Sequence, residues 1–123
     1  MDASDAARSI FGRALEAVRP DEAVLRQVHL EGATLVAGPH RLDLDGFSRV
    51  RVLGLGKAAA AMGMAVETIL ADRLQGGLVV VPEGTPDPGL RRLELFHAGH
   101  PLPDQRSLEA GRRALELADS VGA

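Results

Sequence analysis

Lys57 stands directly behind Gly54-Leu55-Gly56 and directly before four consecutive alanines. Where a strand feeds a helix through glycines, the unpaired N–H groups of the helix start face whatever lies above the strand end, and a lysine adds a full charge on a flexible stem. Two chemistries use such a turn. In phosphoryl transfer, Lys57 would neutralise charge on the moving phosphate, with Gly54, Gly56 and Ala58 forming the backbone cradle. A Walker A loop is excluded, because that pattern needs four residues between its glycines and Ser or Thr after its lysine. In dinucleotide binding, Gly54-x-Gly56-x-x-Ala59 matches the loose form of the glycine fingerprint, and Glu83 lies where a ribose-binding acid would sit. A third account needs no ligand: the glycines make a tight turn and Lys57 is solvated. Spacing alone leaves all three open.

A second cluster lies in "FHAGHPLPDQRS", residues 96–107, where His97, His100, Asp104 and Ser107 follow a strand-like run. Ligands of open α/β sheets bind beyond the carboxyl ends of strands, which makes these residues candidates for a site. Two histidines three apart could ligate a metal, but a Gly/Pro-rich loop fixes no common face and no third ligand is evident. The simpler assignment makes Asp104 the N-cap of a helix and the histidines loop residues held by backbone hydrogen bonds. Ser107 has no neighbouring base to activate it. Arg91, Arg92, Arg112 and Arg113 read as solvated charges, His29 and His40 have no partner spacing, and Met62 and Met64 read as core filling.

The elements that position these groups follow from periodicity. Ala7, Ile10, Phe11, Ala14 and Val18 recur at helical spacing after an N-cap at Ser4, and Pro20 ends that helix. Residues 21–29 read as a shorter helix. Thr34-Leu35-Val36 and Leu42-Asp43-Leu44, parted by Gly38-Pro39, predict a hairpin. Val50, Val52, Leu53 and Leu55 make a strand, and residues 57–73 a helix whose buried stripe is Ala59, Met62, Val66, Ile69 and Leu70, stopped by Gly76-Gly77. Leu78 to Val81 is an apolar run of the kind covered on both faces of a parallel sheet, which completes a right-handed βαβ unit. The turn-rich residues 82–92 show no helical pattern, and this short link leaves the direction of the strand at Leu93 to Phe96 unassigned. Leu108, Gly111, Ala114, Leu115 and Ala118 form a last amphipathic helix behind Asp104. The expected fold is α/β, a partly parallel sheet flanked by helices; a unit that stops on a helix has not supplied the strand to which that helix returns, so residues 1–123 are expected to be an incomplete domain.

The chain has 123 residues, 46% hydrophobic and 25% charged, a soluble globular balance. A formal net charge of -3 gives no electrostatic footprint for nucleic acid or an anionic membrane. The absence of cysteine excludes disulfides and thiol catalysis. The N-terminus has no basic stretch followed by an apolar core, and no run approaches the ~18 apolar residues of a membrane span, so a cytoplasmic location is expected.

Taken in order, "VLGLGKAAAAMGMAVE", the Val79-Val80-Val81 strand followed by Pro82-Glu83-Gly84, and "HAGHPLPDQRSLEAGRRALELA" resemble the N-terminal region of the type-2 glycerate kinases, whose second half is the MOFRL domain. The resemblance covers nearly the whole chain and is strongest over residues 50–118. It implies a Rossmann-like N-terminal portion of a two-domain enzyme with its active site between the domains. The implied reaction is ATP-dependent, Mg²⁺-requiring phosphorylation of D-glycerate on its 2-hydroxyl to 2-phosphoglycerate. The family's GxGKA lysine matches Lys57, which by resemblance contacts the substrate or the transferring phosphoryl group; the HPxPD segment matches His100, Pro101, Pro103 and Asp104, carried over as cleft lining. Mg²⁺ ligands are not identified, and a homodimer is an open option. The remainder of the α/β domain, with a second glycine-rich segment, and the MOFRL domain are absent, so the chain alone is expected to be inactive. The rival enzyme class is an NAD(P)H-dependent hydroxypyruvate reductase, a name this family has also carried, and the non-enzymatic alternative is a truncated α/β domain.

Overall fold

The computed structural model describes residues 2–122. Helices α1 (Ala3–Ala17) and α2 (Pro20–Gln27) lead into an antiparallel meander, β1 (Val28–Glu31), β2 (Thr34–Ala37) and β3 (His40–Asp43). A second sheet follows, built from β4 (Val52–Leu55), α3 (Ala59–Leu70), β5 (Gly77–Pro82), β6 (Leu93–Ala98) and α4 (Gln105–Ser120). Its strand order is β4-β5-β6 and both pairings are parallel.

The N-terminal helix differs from the sequence expectation at its start and in its surroundings. Asp2, not Ser4, is the N-cap: its carboxylate accepts the Asp5 N–H at 2.8 Å, and an aspartate there also suits the positive helix end. The apolar stripe exists, yet no residue of α1 is buried, and Ile10, Phe11 and Val18 are each about two-thirds exposed. The second helix stops at Gln27 because Val28 and His29 are taken into β1, where they pair with Ala37 and Val36.

The β4-α3-β5 unit is the one the sequence predicts, with three corrections. Helix α3 ends at Leu70 and continues as a 3-10 turn, Ala71–Arg73, before the glycines are reached. Gly77 instead belongs to β5, where a Cβ would lie 2.1 Å from the Val52 carbonyl oxygen, so the close β4–β5 approach requires glycine there. The buried stripe of α3 is also turned relative to expectation: Ala59, Ala60, Gly63, Glu67 and Leu70 are buried, while Met62 is exposed. Small residues let the helix sit close on Val79, which is fully buried; a Cβ on Gly63 would already stand 3.2 Å from it.

Strand β6 runs parallel to β5 although residues 83–92 carry no helix. Glu67, buried in α3, anchors this crossover by accepting the Arg91 N–H at 2.8 Å and the Leu93 N–H at 3.2 Å. Gly54, Val79 and Leu93 face α3. By the alternation of a strand, Glu94 and Phe96 face the other way, where Arg113 of α4 pairs with Glu94 and stacks 5.2 Å from the Phe96 ring centre. Arg113 is therefore packed rather than merely solvated. The sheet lies between α3 and α4, and β4 forms one of its two edges, with Leu53 and Leu55 uncovered.

Candidate functional site

Parallel strands put their carboxyl ends on one side of the sheet, so three connections converge there: the turn after β4, the loop after β5 and the loop after β6. Neighbouring strands stand about 4.8 Å apart, which spaces the outer two ends by roughly 10 Å.

The turn after β4 carries Gly56, Lys57 and Ala58. Gly56 has φ 107°, a conformation that a side chain resists, and its N–H donates to the Val80 carbonyl at 2.9 Å. Gly54 is less constrained, since a Cβ there would make ordinary 3.5 Å contacts with Ala59 and Val79. The N-cap of α3 is Ala58, whose methyl group cannot accept a hydrogen bond. The Ala59 N–H donates to the Gly56 carbonyl at 3.1 Å, and the first-turn N–H groups that follow it have no side-chain cap, at the positive end of the helix. Lys57 is exposed beside them and is the single lysine in the sequence. Among the described residues it makes no hydrogen bond or ion pair.

The other two loops are tied together by a residue that sequence reading did not single out. Arg106, in the first turn of α4, donates from Nε and Nη2 to Asp104 Oδ2 at 2.9 and 2.7 Å. It also donates from Nη1 and Nη2 to Glu83 Oε1 and Oε2 at 3.2 and 3.0 Å. The guanidinium hydrogen bonds hold both the Glu83 and Asp104 carboxyls below the usual carboxylate range, and the two carboxylates in turn raise Arg106, Glu83 first. No local signal marks Arg106 in the sequence, because Glu83 lies 23 residues away.

Asp104 is the N-cap of α4, as expected: it accepts the Arg106 and Ser107 N–H groups, and Ser107 Oγ accepts the Asp104 N–H in a capping box. It accepts the Gly99 N–H as well. With that many donors, the carboxylate is a structural acceptor already engaged. His97 lies inside β6 rather than in the loop, yet its ring is held by backbone as anticipated, with Nε2 2.7 Å from the Thr85 carbonyl oxygen. His100 is exposed, and the peptide bond to Pro101 is cis. Lys57, Gly56 and Ala58 thus form one group and His100 and Asp104 another, on the same side of the sheet at the ends of its two outer strands. Among the described residues, no three His, Asp or Glu side chains are arranged to hold a metal ion.

A family described as a domain of unknown function, DUF4147, matches residues 6–123. The chain is 33% identical over 91% of its length to a D-glycerate 2-kinase of Thermotoga maritima and 32% identical over 95% to a glycerate 2-kinase of Pyrococcus horikoshii. It covers 24% and 26% of those proteins, so it spans about a quarter of the length of the relatives it matches. A shorter match, 38% identical over 60% of the chain and 19% of the relative, is to an Agrobacterium vitis protein provisionally named hydroxypyruvate reductase. The crystal structure of the PH0495 protein of Pyrococcus horikoshii superposes with a TM-score of 0.76 at 31% identity, over 94% of this chain and 26% of that one.

Proposed function

Since the chain belongs to the DUF4147 family, the N-terminal region of the glycerate kinases, we propose that it supplies the phosphate-facing wall of an ATP-dependent glycerate 2-kinase. The reaction passes the γ-phosphoryl group of ATP to the 2-hydroxyl of D-glycerate, giving 2-phosphoglycerate and ADP. The observation that carries this reading is Lys57: an exposed cation, unpaired among the described residues, beside the α3 start that no side chain caps, at the carboxyl end of a parallel strand. Phosphoryl transfer asks a protein mainly for position and charge compensation, and that turn offers both. The backbone N–H groups fix where an anion settles, and the flexible ammonium of Lys57 follows the charge as it moves.

The residues present fit a phosphate but do not build a magnesium site. Glu83 and Asp104, two carboxylates of the strand-end loops, are both held by Arg106, and Asp87 accepts the Gly89 and Leu90 N–H groups. Any Mg²⁺ would take its ligands from the nucleotide and from protein outside residues 1–123. The same reasoning supports residues 1–123 as part of the N-terminal domain of a longer two-domain enzyme, inactive alone, with the exposed Leu53 and Leu55 edge of β4 facing protein that this chain does not contain. No described helix is long and apolar enough to cross a membrane, and we place the enzyme with its ATP in the cytoplasm.

The reductase reading draws support from the same glycine turn and from Glu83 at the end of the next strand. Against it, the Glu83 carboxylate is engaged at both oxygens by Arg106, so binding a ribose diol would first require breaking that pair. The test is Lys57→Ala in the full-length protein, with ATP-dependent phosphorylation of D-glycerate as the readout. A loss of turnover of about 10²–10³-fold is expected, the scale of removing one charge-stabilising group. Turnover within a factor of two of the parent would refute the role of Lys57, and NAD(P)H-dependent reduction of hydroxypyruvate by the same protein would favour the reductase.

A further inference from the structure

We infer that Arg106 is a positioning residue for this site, holding the 99–104 loop in place on the end of β5; the inference rests on the kinase reading above. A continuous chain of hydrogen bonds carries it. The Gly99 N–H donates to Asp104 Oδ1 at 3.3 Å, Asp104 Oδ2 accepts from Arg106 at 2.7 and 2.9 Å, and Arg106 reaches both oxygens of Glu83 at 3.0 and 3.2 Å. The circuit closes through backbone, because the Glu83 N–H donates to the Ala98 carbonyl at 3.0 Å. The loop is therefore fixed at its start by Gly99, at its end by Asp104, and from the side by Glu83.

There is little slack in this arrangement. A Cβ on Gly99 would stand 2.7 Å from Asp104 Cγ and 2.7 Å from the Leu102 carbonyl oxygen, so the loop closes on itself as tightly as glycine permits. The side chains of Arg106, Asp104 and Glu83 are 42%, 39% and 68% exposed, and ion pairs this open add little to global stability. Their strength is directional. A guanidinium presents its donors in a rigid plane and can serve two carboxylates at once, which a lysine ammonium on a flexible stem cannot reproduce. What the clamp presents is His100, exposed at the end of β6, two strands from Lys57.

The experiment compares Arg106→Gln, Arg106→Lys, Glu83→Gln and Lys57→Ala in the full-length protein. Arg106→Gln is expected to lower kcat about 10- to 100-fold, the scale of a misplacement near 1 Å, with KM for ATP changed less than about twofold and the thermal midpoint little moved. Arg106→Lys should recover part of kcat, and Glu83→Gln, which leaves the α4 cap intact, should lose less. In the full-length protein, Arg106→Gln should also speed hydrogen exchange of the Gly99 amide, a readout independent of turnover. If Arg106→Gln does not fold, Glu83→Gln carries the same comparison. Unchanged kcat in Arg106→Gln and Glu83→Gln while Lys57→Ala loses turnover overturns the positioning role and leaves the kinase reading standing. Absence of ATP-dependent turnover in the parent removes the kinase reading, undiminished turnover in Lys57→Ala removes only the role of Lys57, and unchanged Gly99 exchange in Arg106→Gln overturns the clamp itself.

Discussion

Glu67→Ala is expected to destabilise the chain by about 2–4 kcal/mol, because this one carboxylate replaces a whole element of secondary structure. A parallel crossover normally runs through a helix, which satisfies its own N–H groups; residues 83–92 have none, and two of the N–H groups around the start of β6 end on Glu67. Leu93 is 5% exposed and Glu67 8%, so water cannot readily replace the lost acceptor at the Leu93 N–H, whereas the exposed Arg91 gives its N–H a solvent alternative. A buried donor left unpaired costs about 1–3 kcal/mol, and the two N–H groups, one dry and one wet, sum to the range above. The better helix propensity of alanine returns only a few tenths. For a domain of this length, total stability is about 6–18 kcal/mol, so the loss is a substantial fraction. Glu67→Gln should cost roughly half as much, since its amide oxygen keeps one of the two bonds while its NH₂ opposes the other. Urea unfolding followed by far-UV circular dichroism measures both variants. A shift below about 0.5 kcal/mol for Glu67→Ala, or a larger loss for Gln than for Ala, would refute the claim that the carboxylate anchors the crossover.

Gly77→Ala should prevent the β4–β5 pairing, because the new methyl would lie 2.1 Å from the Val52 carbonyl oxygen, and insoluble or molten protein is the expected result. Gly111→Ala, inside α4 with nothing within 4 Å, should instead stabilise by about 0.5–1 kcal/mol; a loss at Gly111, or a native spectrum at Gly77, contradicts the geometry. Glu83 and Asp104 should titrate below their ordinary values of 4.5 and 3.8, and both should move back upward in Arg106→Gln, as followed by carbon-detected NMR. The sign follows from linkage: a depressed carboxylate binds fewer protons when folded, so its contribution is complete above the ordinary value and is lost as pH falls through the depressed one. An Arg106→Gln titration that overlays the parent would show that the guanidinium is not the cause.

What could be read from the sequence is what short-range chemistry determines. The Gly56 turn, the apolar run of β5 and the Asp104–Ser107 cap each announce themselves within a few residues, and the β4-α3-β5 unit and α4 follow. Contacts between distant residues leave no such mark. The crossover into β6 is anchored by Glu67, 26 residues before Leu93, and β1 forms where Val28 to Glu31 pair with β2. Periodicity found the apolar face of α1 but not that it meets solvent, and it misplaced the buried face of α3. On α3 the demand for close approach to Val79 selected alanine and glycine over Met62, and on α1 the stripe meets solvent.

The same distinction applies to charge at the strand ends. Lys57, Glu83, Asp104 and Arg106 have formal charges that cancel, yet the two cations do different work. Arg106 is committed to two carboxylates and has little attraction left for an incoming anion. Among the described residues Lys57 has no partner, so in the proposed kinase the attraction for phosphate would fall on its ammonium and on the N–H groups of α3. On that proposal, removing Lys57 would not simply subtract one contact: it would leave these four groups with an uncompensated negative charge where the anionic substrate is proposed to bind. The proposal therefore gives Arg106 and Lys57 different roles, which is why the fixed cation and the exposed one must be tested separately.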